Sequence, residues 1–158
     1  MEQSDLEAVE RRLTALLAGW AIGSVALGSA LAIAGRRRGS EQLMRFGRQT
    51  AMWGAVDGII AGAGAMSRRG RGTLTAAEVD RKARSLRLLL AANAAADVAY
   101  VLAGAAIWLR GRDGRTTVRM DAGDGLAIAS QGAFLLVLDT VHALELGGES
   151  WQELNPDQ

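Results

Sequence analysis

Charge is missing from four stretches of this chain, and the apolar runs it leaves behind predict four helices. Residues 13 to 34 (LTALLAGWAIGSVALGSALAIA) carry no charge at all; residues 49 to 66 (QTAMWGAVDGIIAGAGAM) carry Asp57, residues 88 to 109 (LLLAANAAADVAYVLAGAAIWL) carry Asp97, and residues 125 to 146 carry Asp139 with Glu145 at the exit. At 1.5 Å per residue, an apolar helix of about 20 residues reaches across a hydrocarbon layer roughly 30 Å thick. None of the four stretches has the polar face at helical period that a soluble bundle needs. The expected fold is therefore all-α, a four-transmembrane-helix bundle in one domain over residues 1 to 146, followed by a polar acidic tail over residues 147 to 158.

Two helices are expected to start outside these spans. Ser4 with Glu7 has the spacing of a capping box leading into the first span through Leu6, Val9 and Leu13. Thr75 with Glu78 repeats it, with Leu74 and Val79 placed as a hydrophobic staple, so helix three begins near Thr75 and projects before its span opens at Leu88. Lys and Arg are absent from all four spans and crowd into the segments between them, as expected of side chains at headgroup level and of an anionic bilayer surface as partner. Nine basic residues fall on each side, so charge does not set the orientation; the dense basic segment over residues 67 to 87 leans the termini toward the cytoplasm. The run AIAG at residues 32 to 35 could pass for a signal-peptidase site, but the acidic start and the overlong apolar run favour a retained span.

Small residues, with 20 glycines and only two Phe and four Trp, make the chain apolar, and its wealth of Ala, Gly and Arg suggests a high-GC bacterium, which with the spans makes a bacterial inner membrane the expected location. A net charge of +1 offers no surplus basic face for a nucleic acid. The absence of cysteine excludes disulfides and thiolate chemistry. There is no phosphate-binding glycine loop after a strand, no G-x-S-x-G and no HExxH, so no enzymatic activity is expected. No cofactor or metal is expected either: a single histidine cannot supply both axial ligands of a haem, and His142 with Asp139 falls short of a metal site.

Polar residues inside the spans form stripes. On helix three, Asn93, Asp97, Tyr100 and Gly104 share a narrow arc, and on helix four Gln131, Asp139 and His142 do the same; Gln49, Trp53 and Asp57 follow on helix two, and Trp20, Ser24 and Gly28 on helix one. Lipid offers these groups no hydrogen bonds, so the stripes should turn inward and meet. Gly54, Gly58 and Gly62 with Gly19 and Gly23 have the small-xxx-small spacing that permits close helix packing. The simplest role for the polar groups is interhelical hydrogen bonding, worth about 0.6 to 2 kcal/mol each. The alternative is a proton or cation path, since the three aspartates have no basic partner within any span. Asp139, one turn from His142, is expected to pair with it.

A duplication is faintly legible. GSALAIAGR at residues 28 to 36 matches GAAIWLRGR at residues 104 to 112 at Gly28/Gly104, Ala30/Ala106, Gly35/Gly111 and Arg36/Arg112; after a two-residue shift Gly47/Gly125, Ala51/Ala129, Gly54/Gly132 and Ala55/Ala133 follow. Two such hairpins would insert the same way, about an axis along the membrane normal.

The pattern N-x3-D-x2-Y-x3-G at residues 93 to 104, Q-G-x-F-L-L-x2-D at residues 131 to 139 and W-G-x2-D at residues 53 to 57 resembles a family of small, uncharacterised bacterial four-span membrane proteins, over most of residues 17 to 146. The resemblance implies fold and location and carries no activity. The expected role is a structural or accessory membrane protein in a homo-oligomer or larger complex, the alternative a small proton- or cation-coupled transporter.

Overall fold

A computed structural model describes residues 1 to 112 and 120 to 148. The expected tail beyond residue 148, and Arg115 and Arg119 of the second basic loop, lie outside the described residues. Among the described residues the chain is all helix: α1 Gln3–Arg38, α2 Glu41–Arg69, α3 Ala76–Arg112 and α4 Ala122–Leu146. Each contains its expected apolar stretch; α1, α2 and α3 run past theirs because the flanking arginines are good helix formers and no proline interrupts them, while α4 only starts earlier, at Ala122. Three helices, α1, α3 and α4, are long and apolar enough to cross a membrane; α2 falls short.

The turns explain where the helices stop. Gly39 takes the left-handed conformation (φ 64°) that closes α1, and the next residue, Ser40, caps α2 by accepting from the Leu43 backbone N–H. Thr75 and Glu78 form the reciprocal capping box at the start of α3, and Val79 is buried with Leu74 against it. At α1 the cap differs from expectation: Glu2 precedes the helix, its backbone N–H donating to Asp5 at 3.1 Å, while Ser4 is already helical. Glu7 is not a capping partner there, for its carboxylate accepts from the Gln3 amide one turn away at 2.8 Å.

The helices pair as two antiparallel hairpins, α1 with α2 and α3 with α4, joined mainly through α2 against α4. In the first hairpin, a Cβ on Gly28 would lie 2.6 Å from the Gly47 carbonyl oxygen and 2.6 Å from the Ala51 nitrogen. In the second, a Cβ on Gly104 would lie 2.7 Å from the Gly125 oxygen and closer still to the Ala129 nitrogen. Backbone meets backbone at both places, so a side chain has nowhere to go. A Cβ on Gly54 would lie 2.7 Å from the Ser24 Cβ and 2.9 Å from the Ala21 carbonyl oxygen, and one on Gly132 would lie 3.0 Å from the Tyr100 Cβ and 3.1 Å from the Asp97 carbonyl oxygen.

The expected glycine seam therefore needs correcting. Gly54 and Gly104 lie in close contacts, but nothing lies within 4 Å of a Cβ placed on Gly19, Gly23 or Gly62, and Gly58 makes only an ordinary contact of 3.7 Å with Ala21. Spacing alone reports that a small-residue face exists, not which neighbour it meets. Gly19 and Gly23 instead line an apolar groove of about 490 Å³ between α1 and α4.

α1 and α3 continue outside the expected spans: Leu6, Val9, Val79 and Ala83 form one core with Leu90, just inside the expected span of helix three, and with Ala143 and Leu146 at the end of α4. Glu10 and Arg71 seal this end with a two-pronged ion pair (2.6 and 3.0 Å) whose side chains are only 15% and 9% exposed. The Glu10 hydrogen bonds hold the Arg71 guanidinium above its ordinary pKa. Several arginines expected at the headgroups do structural work instead. Arg45 binds Glu41 on its own helix and reaches across to Asp124 and Asp121, the capping pair of α4, contacts that raise its pKa. Arg87 on α3 lies against Gly147, where a cation complements the carbonyl end of α4.

Candidate polar interior and cavity

The bundle is inverted relative to a soluble protein. Ile22, Ile59 and Leu88 are 70 to 73% exposed, whereas Asp57 and His142 are 2%, Asp97 4% and Gln131 5% exposed, and Asp139 is also buried. Asn93 and Tyr100, expected inside, are exposed on α3, because their helix stands off from α2 and leaves a gap.

One chain of hydrogen bonds ties three helices together. The indole of Trp20 on α1 donates to the Gln131 oxygen on α4 at 2.8 Å, and the Gln131 amide donates to the Asp57 carboxylate on α2. An amide side chain suits the middle position because it accepts at one end and donates at the other. Trp20 is fixed by stacking on Phe134 (centroids 4.0 Å apart, planes within 6°). Trp20 stood in the expected stripe of helix one; its being a donor to Gln131 was legible only in three dimensions.

The other two aspartates lie toward α3. Asn93 stands within side-chain reach of Asp139, and Asp97 stands within electrostatic reach of both Asp57 and Asp139. One oxygen of Asp97 is buried without a partner. His142 does not pair with Asp139: its Nδ1 contacts the carbonyl of Leu138, one turn back on its own helix, at 2.7 Å, and its Nε2 is buried without a partner. Residues three apart on a helix diverge by about 60° around the axis, enough to turn these two side chains to different neighbours.

The three aspartates line a common cavity of about 400 Å³, with Asn93, Tyr100 and a cage of leucines from α1, α3 and α4. Its exposed lining, Ile60, Leu89, Asn93, Ala96 and Tyr100, belongs to α2 and α3, which places the mouth between those helices. Trp53 meets Tyr100 edge to face at 5.7 Å and bridges the gap beyond the cavity. No three His, Asp or Glu side chains among the described residues converge as a metal site.

No curated protein and no solved structure matches this chain. A family profile does match, over residues 16 to 140, the stretch that holds the glycine contacts, the Trp20–Gln131–Asp57 chain and all three interior aspartates. The chain belongs to that family, a family of unknown function (DUF6992).

Proposed function

We propose that the protein is a four-span integral protein of a bacterial inner membrane, with a structural or accessory role in a homo-oligomer or larger complex and no catalysis of its own. The observation that carries this reading is the inversion of the bundle, with apolar residues outward and ionisable ones inward. It supports α2 as the fourth span despite its lower hydropathy. The outer face of α2 presents Met52, Val56, Ile59, Ile60 and Met66, with its one mid-helix charge, Asp57, turned inward. A helix packed backbone to backbone against α1 goes where α1 goes. The paired contacts of Gly28 with Gly47 and Gly104 with Gly125 support the reading of the hairpins as two copies of one unit. The basic segment over residues 67 to 87 favours cytoplasmic termini.

Alkaline carbonate washing tests the reading: the protein should stay with the membrane pellet, and its release would end it. A second reading, a small cation-coupled carrier, is favoured by the cavity that reaches Asp57, Asp97 and Asp139.

A further inference from the structure

We propose that the cavity between α2 and α3 binds an organic amine with an apolar body, its N–H groups turned to Asp97 and its hydrocarbon to the surrounding leucines. The space, about 400 Å³, falls in the range of small-molecule pockets. Leu13, Leu17, Leu90 and Leu138 make most of it apolar, so a hydrated inorganic ion would find few groups to replace its water. Inorganic cations are further disfavoured because the carboxylates do not converge on one point among the described residues.

The sign of the ligand follows from the lining. Three carboxyl groups face the cavity, and no Lys or Arg does. Asp57 is bonded by Gln131, and Asp139 has Asn93 within reach. Asp97 is 4% exposed, and one of its oxygens has no partner, a buried acceptor that requires an explanation. An N–H donor satisfies that oxygen once the carboxyl group turns it toward the cavity; a quaternary ammonium, which has no hydrogen to donate, does not. The α1–α4 groove offers no such vacancy, because its Trp20 and Gln131 bond to each other.

Access is from the side. Leu89 and Ile60 stand exposed at the mouth, facing lipid if the four-span reading holds, and the inference rests on that reading. A membrane-partitioned amine would reach the mouth along the bilayer.

The test is titration calorimetry on full-length protein purified in dodecyl maltoside from carbonate-washed membranes, with decylamine, decyltrimethylammonium and decanol as probes. Decylamine should bind saturably, one per chain, and at least tenfold more tightly than either of the others. Asp97→Asn should weaken decylamine at least tenfold with helical circular dichroism unchanged. Leu89→Trp, which narrows the mouth and touches no carboxyl group, should weaken it too. Equal binding of decanol, full affinity in Asp97→Asn or binding that never saturates would overturn the proposal. If Asp97→Asn does not fold, undiminished binding in Leu89→Trp overturns it alone. Release at the carbonate wash refutes the spans, whereas loss of binding by washed protein refutes only the ligand site.

Discussion

Replacing Gly104 by alanine adds one methyl group at the point where α3 touches α4. That methyl carbon would sit 2.7 Å from the Gly125 oxygen and nearer to the Ala129 nitrogen, well inside van der Waals contact. Both obstacles are helix backbone, so neither can rotate away, and the helices must separate. Overpacking of this kind costs about 1 to 3 kcal/mol. The gain in helix propensity, about 0.5 to 1 kcal/mol, offsets only part of it. For a chain of this size the net loss of up to about 2.5 kcal/mol lowers the melting temperature by up to about 10 °C. Gly62→Ala is the control: nothing lies within 4 Å of its added methyl, so the variant should melt at or above the wild-type temperature. Gly28→Ala, with obstacles at 2.6 Å in the first hairpin, should behave like Gly104→Ala. The assay is thermal loss of helical circular dichroism in detergent. Equal melting of Gly104→Ala and Gly62→Ala would show that the backbones do not meet at Gly104.

Three further predictions concern the interior and the terminal end. Trp20→Phe keeps an aromatic ring to stack on Phe134 but loses the 2.8 Å bond to Gln131, and should destabilise by about 0.6 to 2 kcal/mol in the same melt; no change would remove the Trp20–Gln131–Asp57 chain from the account. Glu10→Gln, which leaves the largely buried Arg71 without its carboxylate, should cost about 2 kcal/mol, against less than about 0.5 for the exposed Arg12→Ala, and a reversed order in denaturant titrations would contradict the burial argument. Glu78 is held below its ordinary pKa of 4.5, first by the Thr75 backbone N–H and then by the Thr75 hydroxyl. A lowered folded-state pKa means that the cap's contribution is present above the unfolded value and fades as pH falls through the folded one. Amide protection at the start of α3, taken relative to the intrinsic exchange rate at each pH, should therefore fall below about pH 4.5 in the wild type, with a flatter response in Glu78→Gln.

The helices were legible because charge leaves apolar spans and returns at their ends. Their full lengths were less so, since arginine continues a helix as readily as it ends a span. The helix-three cap was read from Thr75 and Glu78, whereas Ser4 and Glu7 have the same spacing and do not cap, because Glu2 already does. The close contacts at Gly28, Gly47, Gly104 and Gly125 coincide with the glycines shared between the two hairpins, a better signal than the Gly54, Gly58 and Gly62 ladder. Three-residue spacing suggested an Asp139–His142 pair, but a ring nitrogen that reaches the carbonyl of Leu138 turns His142 elsewhere. The cavity was invisible in sequence, for it arises from the divergence of α2 and α3, which no local pattern encodes.

The central claim is that all four helices lie in the bilayer, and α2 is where it is most exposed to refutation. The chain has no cysteine, so Ile59→Cys supplies a single thiol at a side chain 73% exposed on the outer face of α2. Intact membranes carrying this variant are treated with a membrane-impermeant maleimide, with Gly72→Cys in the α2–α3 connection as the reference for water access. Ile59→Cys should stay unlabelled on either side of the membrane until the sample is denatured in detergent, while Gly72→Cys labels from one side. Labelling of Ile59→Cys in intact membranes would put α2 in water and contradict the four-span protein.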